Sequence, residues 1–115
     1  MEEKEIPQPH TQLTKDIDTD SAIIMGDPAR VDMIARLMDH VIPWAYNREY
    51  KSIVGTYKGK KILAMSTGIG APSAGIAVEE MHNVGIKRAI RVGSAGAMQH
   101  HIPLGRLVIA EGVVR

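Results

Sequence analysis

The chain has no cysteine, which excludes a disulfide framework, a thiolate metal site and a cysteine nucleophile, and fits a reducing compartment. Phenylalanine is also absent. The aromatics amount to one tryptophan and three tyrosines, so a core has to rest on Ile, Val, Leu, Met and Ala. No excess charge exists either: 14 Lys and Arg stand against 13 Asp and Glu, for a net +1, which leaves no electrostatic case for nucleic acid or an anionic membrane. No apolar run approaches the length of a membrane span. The opening Met1-Glu2-Glu3-Lys4-Glu5 is acidic with no apolar stretch, and does not read as a secretory signal. Internal repeats and low-complexity stretches are lacking. What remains is 115 residues that are 44% hydrophobic, enough for one globular domain with a core of its own but not two.

Two glycine turns, each with an arginine, stand out in what is present. Gly26-Asp27-Pro28-Ala29-Arg30 follows the apolar run 22–25, and Arg91-Val92-Gly93-Ser94-Ala95-Gly96 closes the run 89–90. Glycine lets backbone N–H groups approach a ligand, and arginine offers a planar fork of donors. A pair of such turns at the ends of neighbouring strands would form a small oxyanion site, phosphate above all.

The rest of the chain supplies strands and helices around them. Residues 1–9, with Pro7 and Pro9, read as an extended arm. Residues 22–25 form a buried strand. Asp27 caps a helix with Pro28 at its first position, and Val31, Ile34, Leu37 and Val41 continue it at helical spacing until Pro43. Residues 50–57 and 62–65 make a hairpin about Lys58-Gly59. A glycine loop over 66–71 leads into a helix that opens at Pro72-Ser73, buries Ala74, Ala77, Met81 and Val84, and stops at Gly85. Strands follow at 88–92 and 107–110. Apolar strands alternating with amphipathic helices predict an α/β domain with a mixed, mostly parallel, buried sheet. Ligands of such sheets bind beyond the carboxyl ends of the strands, where Gly26, Thr67-Gly68 and Gly93-Ser94 all fall.

Each residue also has a plainer reading. Arg30 alone reads as a surface arginine, and Asp27 as a cap rather than a catalyst. Arg91 lies among apolar neighbours, so a buried charge awaiting a ligand is favoured over an arginine facing solvent on an edge strand. Ser94 either donates to the same anion or is a small turn residue. Thr67-Gly68-Ile69-Gly70 lacks the Gly-Lys-Ser/Thr ending of a phosphate-binding loop and does not match the dinucleotide pattern. Arg48-Glu49 reads as a surface ion pair, Glu79-Glu80 as solvated or capping, His10 as exposed, and His100-His101 as adjacent loop histidines that do not converge on a metal.

Together these segments resemble the nucleoside phosphorylase family, in the branch of hexameric uridine and purine nucleoside phosphorylases. The matching stretches are Gly-Asp-Pro-x-Arg at 26–30, Asn47-Arg48-Glu49-Tyr50, Ser66-Thr67-Gly68-Ile69-Gly70-Ala71-Pro72-Ser73, Ile76-Ala77-Val78-Glu79-Glu80 and Arg91-Val92-Gly93-Ser94-Ala95-Gly96-Ala97. The resemblance implies a three-layer αβα fold, incomplete in this chain, with residues 10–115 as the first half of one domain. It implies phosphate-binding roles for Gly26, Arg30, Arg91 and Ser94, with Arg48 supplied by an adjacent subunit. It places His10 of the adjacent subunit at the ribose 5′-hydroxyl, and Thr67, Gly68, Ser94, Ala95 and Gly96 beside the nucleoside. Glu49, Ile69 and Ser73 match positions that hold potassium between subunits.

The implied reaction is phosphorolysis of a nucleoside, uridine first and a purine nucleoside as the alternative, to free base and ribose 1-phosphate. Phosphate is the co-substrate, no cofactor is required, and no acid/base residue is identified. The implied setting is a cytoplasmic homo-oligomer, dimer-based and hexameric at full length, in nucleoside catabolism and salvage. Family members are longer, and the acidic ribose-binding motif and base-reading residues of their later segment have no counterpart here. A fragment that binds phosphate or partner subunits without catalysis is therefore the competing expectation. An unpaired strand edge and an exposed apolar face would then favour assembly or aggregation.

Overall fold

The structure, a computed structural model, describes residues 6–114; the first five residues of the predicted arm lie outside it. The element order is β1 (Ser21–Met25), α1 (Pro28–Ala35), β2 (Asp39–Asn47), β3 (Tyr50–Tyr57), β4 (Lys60–Ser66), α2 (Ala71–Asn83) and β5 (Arg88–Arg91), with a short 3-10 turn at Lys15–Ile17 before β1. The five strands form one mixed sheet in the order β2-β3-β4-β1-β5. β1 runs parallel to both β4 and β5, while β2, β3 and β4 form an antiparallel meander.

Side chains alternate across the sheet with the period of two that strand geometry imposes. On one face Ala22 and Ile24 of β1, Tyr50 and Val54 of β3, and Leu63 and Met65 of β4 pack with Leu13, Ile17, Ala77, Met81, Val84 and Ile86. On the other, Met25, Ile53 and Ala64 pack with Val31, Ile34 and Ala35 of α1. The result is three layers: α1, the sheet, and α2 together with the N-terminal turn. No helix among the described residues is long and apolar enough to cross a membrane.

Local signals set most boundaries. Asp27 Oδ1 accepts from Ala29 N at 2.9 Å, and Pro28 occupies the first turn of α1, so the predicted cap is present. The hairpin of β3 and β4 closes at Lys58 and Gly59, both with positive φ. Gly85 (φ +101°) ends α2, its N–H reaching His82 O at 3.1 Å.

Two elements differ from expectation. The first helix stops at Ala35 rather than running to Pro43; Val41 and Pro43 belong to β2, and Leu37 is exposed. Leu37 N bonds Ile34 O and Met38 N bonds Ala35 O, a tightened last turn, and His40 (φ 51°) then redirects the chain. Pro43 is tolerated because β2 is an edge strand whose pairing with β3 shifts register between Pro43 and Ala45. Second, 107–110 is not a strand. No regular element occurs from 92 to 114, and Leu107 and Ile109 are 91% and 88% exposed. A strand needs a neighbour for its N–H and C=O groups, and none of the described strands pairs with this segment.

Candidate functional site

The parallel strands β4, β1 and β5 lie side by side, so their carboxyl ends share one edge. Their pairing continues past the strand ends: Thr67 N donates to Met25 O at 2.8 Å, Gly68 N to Gly26 O at 2.9 Å, and Val92 N to Ile24 O at 2.9 Å. These three loops are thereby held together, with the N-terminus of α1 opening from the middle one.

Into this edge come two guanidinium groups. Arg30, in the first turn of α1, reaches Ser94 with Nη2 3.3 Å from Oγ. Arg91, the last residue of β5, curls back over its own loop. A Cβ on Gly93 would stand 2.6 Å from Arg91 Nη1, and one on Gly26 would stand 3.8 Å from Nη2. A side chain at Gly93 would push the Arg91 guanidinium, the free end of an exposed and flexible side chain, out of this position. Gly26, Arg30, Arg91 and Ser94 thus form one cluster, bordered by Gly68, whose carbonyl lies 3.2 Å from the Cβ position of Gly26. Among the described residues neither arginine forms an ion pair. Arg91 is not buried, contrary to expectation, because β5 is an edge strand with all four residues exposed. Ala95 and Gly96 follow in the same exposed loop.

A second group of residues surrounds the Thr67-Gly68 loop. Thr67 is buried. Gly68 has φ +71°, and a Cβ on it would lie 2.6 Å from Glu49 Cγ and 3.2 Å from Ser73 Oγ, so both backbone conformation and space demand glycine. Ser66 Oγ donates to Glu49 O at 2.6 Å and accepts from Lys51 N at 2.8 Å, which fixes the β2–β3 turn that carries Arg48. Tyr50 Oη donates to Ser73 O at 2.8 Å, and Ser73 Oγ donates to Thr67 O. Of the three residues matched to a potassium site, Glu49 and Ser73 both flank Gly68, while Ile69 is 97% exposed. Among the described residues no group of three or more His, Asp or Glu could hold a metal ion, and this includes His100 and His101.

His10 sits elsewhere. Glu80, expected in solvent or at a cap, is 5% exposed and takes up the N-terminal turn. Its Oε1 accepts from His10 N at 2.9 Å, Thr11 N at 2.8 Å and Thr11 Oγ1 at 3.0 Å; its Oε2 meets His10 Nδ1 at 3.0 Å. Burial alone would raise the Glu80 pKa, but the hydrogen bonds from Thr11 and His10 together outweigh it and hold the carboxyl below its ordinary value. Asn47 Nδ2 donates to His10 O at 2.7 Å. His10 and Arg48 are therefore tied to one corner through Asn47, and no hydrogen bond or ion pair among the described residues joins either of them to Arg30 or Arg91. Sequence reasoning missed Glu80, Asn47, Tyr50 and Ser66 as supporting residues. For Glu80 a signal existed: it lies three residues after Ala77 and four before Val84, on the buried stripe of α2.

Residues 20–115 match the Phosphorylase superfamily. A guanosine phosphorylase of Halorubrum lacusprofundi is 44% identical over 108 residues, 94% of this chain and 45% of that protein. A uridine phosphorylase of Klebsiella aerogenes is 46% identical over 94 residues, 82% of this chain and 37% of that protein. The crystal structure of uridine phosphorylase from Vibrio fischeri superimposes with a TM-score of 0.83 at 52% identity, over 86% of this chain and 41% of that one. The chain thus spans less than half the length of these relatives. Its sheet, its glycine loops and its sequence together make it a member of the Phosphorylase superfamily.

Proposed function

We propose that the protein is a nucleoside phosphorylase and that this chain carries the phosphate side of its site. The observation behind this is the convergence of Arg30 and Arg91, neither in an ion pair among the described residues, on Gly26 and Ser94 at the carboxyl edge of the sheet. Arg30 meets Ser94 and Arg91 lies against Gly93 and Gly26 of the same edge, so the donors of both forks are available to one anion, and bidentate geometry suits phosphate. The names of the relatives, guanosine and uridine phosphorylase, point to the same chemistry.

In this reading a phosphate oxygen bonds to the anomeric carbon as the glycosidic C–N bond breaks. The bond's electron pair leaves with the base. Arg30, Arg91 and Ser94 hold the nucleophilic anion in place while the sugar passes through an oxocarbenium-like state, so most of the acceleration comes from positioning and charge. Arg48 and His10, both beside Asn47 and with no hydrogen bond or ion pair to Arg30 or Arg91 among the described residues, serve the site of a neighbouring subunit, His10 at the ribose 5′-hydroxyl. Thr67, Gly68, Ala95 and Gly96 border the nucleoside, uridine being the first choice and a purine nucleoside the second. A potassium ion at Glu49, Ile69 and Ser73 would tie two subunits together. The assembly is a dimer-based homo-oligomer, hexameric at full length, working in cytoplasmic nucleoside breakdown and salvage.

The test is direct. Purified protein is incubated with uridine, inosine or guanosine, with and without phosphate, and free base is measured. Phosphate-dependent release supports the reading. Saturable phosphate binding with no release from any nucleoside would make the chain a phosphate-binding fragment instead.

A further inference from the structure

Glu80 is the one carboxylate buried in the described structure, and the phosphorolysis reading gives it no role. Its two oxygens divide the work. Oε1 takes the backbone N–H groups of His10 and Thr11 and the Thr11 hydroxyl, and Oε2 is left to the His10 ring. Asn47 holds the His10 carbonyl from the other side. Of the polar atoms of His10, Nε2 alone has no partner among the described residues. The side chain is 41% exposed and borders an open hollow between the N-terminal turn and α2, walled by Pro9, Pro72 and Ile76.

An ionised carboxylate has no hydrogen to give, so the hydrogen of the Glu80–His10 contact must sit on Nδ1. In the neutral imidazole that makes Nε2 an acceptor. We propose that Glu80 is a positioning residue for His10: it fixes Nε2 of the neutral ring as a hydrogen-bond acceptor, so that the enzyme favours nucleosides that carry a 5′-hydroxyl, the group able to donate to it. The proposal rests on the phosphorylase reading for its substrate, but not for the state of the ring. A purely structural clamp on the backbone would need Oε1 alone; the commitment of Oε2 to the ring distinguishes the two roles.

Glu80→Gln separates them, because the amide oxygen can replace Oε1 while its NH2 faces Nδ1 and drives the hydrogen to Nε2. The first readout is 15N chemical shifts of the His10 ring. Recorded where the ring is neutral, wild-type protein should show Nδ1 protonated and Nε2 bare, and Glu80→Gln the reverse. The second is kcat/KM for the cleaved nucleoside against its 5′-deoxy counterpart. Discrimination should fall about tenfold in Glu80→Gln, through loss on the 5′-hydroxyl substrate alone. A wild-type ring with its hydrogen on Nε2 overturns the proposal, even if the variant fails to fold. So does a variant that slows both substrates equally or leaves discrimination unchanged. If no nucleoside is cleaved at all, the phosphorylase reading fails, and the ring shifts still decide whether Glu80 sets the tautomer.

Discussion

On α2 a single carboxylate, Glu80, is buried and meets four hydrogen-bonding groups of residues 10 and 11; at the carboxyl edge of the sheet two guanidinium groups, Arg30 and Arg91, share a cluster, and neither forms an ion pair among the described residues. On the proposed reading the difference separates structural charge from charge kept for a ligand. A buried charge is tolerated when the protein supplies its partners, and removing it leaves those partners stranded. Charges that converge without partners raise the energy of the empty site and lower it when an anion arrives. The first arrangement predicts a loss of stability on mutation, the second a loss of binding with stability unchanged.

The largest expected effect is on the arginine side. Arg91→Ala should lower kcat/KM for phosphorolysis by about 10²–10³, with the change in unfolding free energy within about 0.5 kcal/mol. Steady-state kinetics and a thermal melt on the same preparation check both halves. On the carboxylate side, Glu80→Ala should cost about 3 kcal/mol, because the buried N–H and hydroxyl of Thr11 and the half-buried N–H of His10 lose their acceptor; denaturant unfolding measures it. Equal stability losses for the two variants would erase the contrast.

Acid should reach the two regions differently. The folded Glu80 carboxyl ionises below its ordinary range, so its contribution is full above the unfolded value and is lost as pH falls through the lowered folded one. Proteolysis of the N-terminal turn should therefore rise at acid pH in wild type, and be raised already at neutral pH, with little further change, in Glu80→Ala. Ser66→Ala should cost about 1 kcal/mol by freeing the Arg48 turn from Glu49 O and Lys51 N. Asp32→Asn, which breaks the exposed ion pair to Lys51, should shift stability by no more than about 0.5 kcal/mol.

What was legible in the sequence follows the range of each interaction. Asp27-Pro28, Lys58-Gly59 and Gly85 act on their immediate neighbours, and the elements they bound stand where their chemistry puts them. β2 was illegible because Pro43, a helix stop in most contexts, sits at a register shift on an edge strand, and because that shift breaks the alternation that would have marked a strand. The sequence leaves Glu80 in solvent or at a cap because its partners lie about seventy residues away along the chain. The arginine cluster was visible only as two glycine turns; that both turns end adjacent strands depends on β1 and β5 pairing in parallel. The apolar run at 107–110 shows the converse, since strand composition does not supply a pairing partner.

The most direct measurement is a phosphate titration, by calorimetry, of wild type, Arg91→Ala and Arg36→Ala, the last removing an exposed arginine at the end of α1 outside the cluster. Saturable binding in wild type and Arg36→Ala, weakened at least about tenfold in Arg91→Ala, is the predicted result. Binding of equal strength in all three, or in none, would contradict the assignment of the Arg30–Arg91 cluster as a phosphate site.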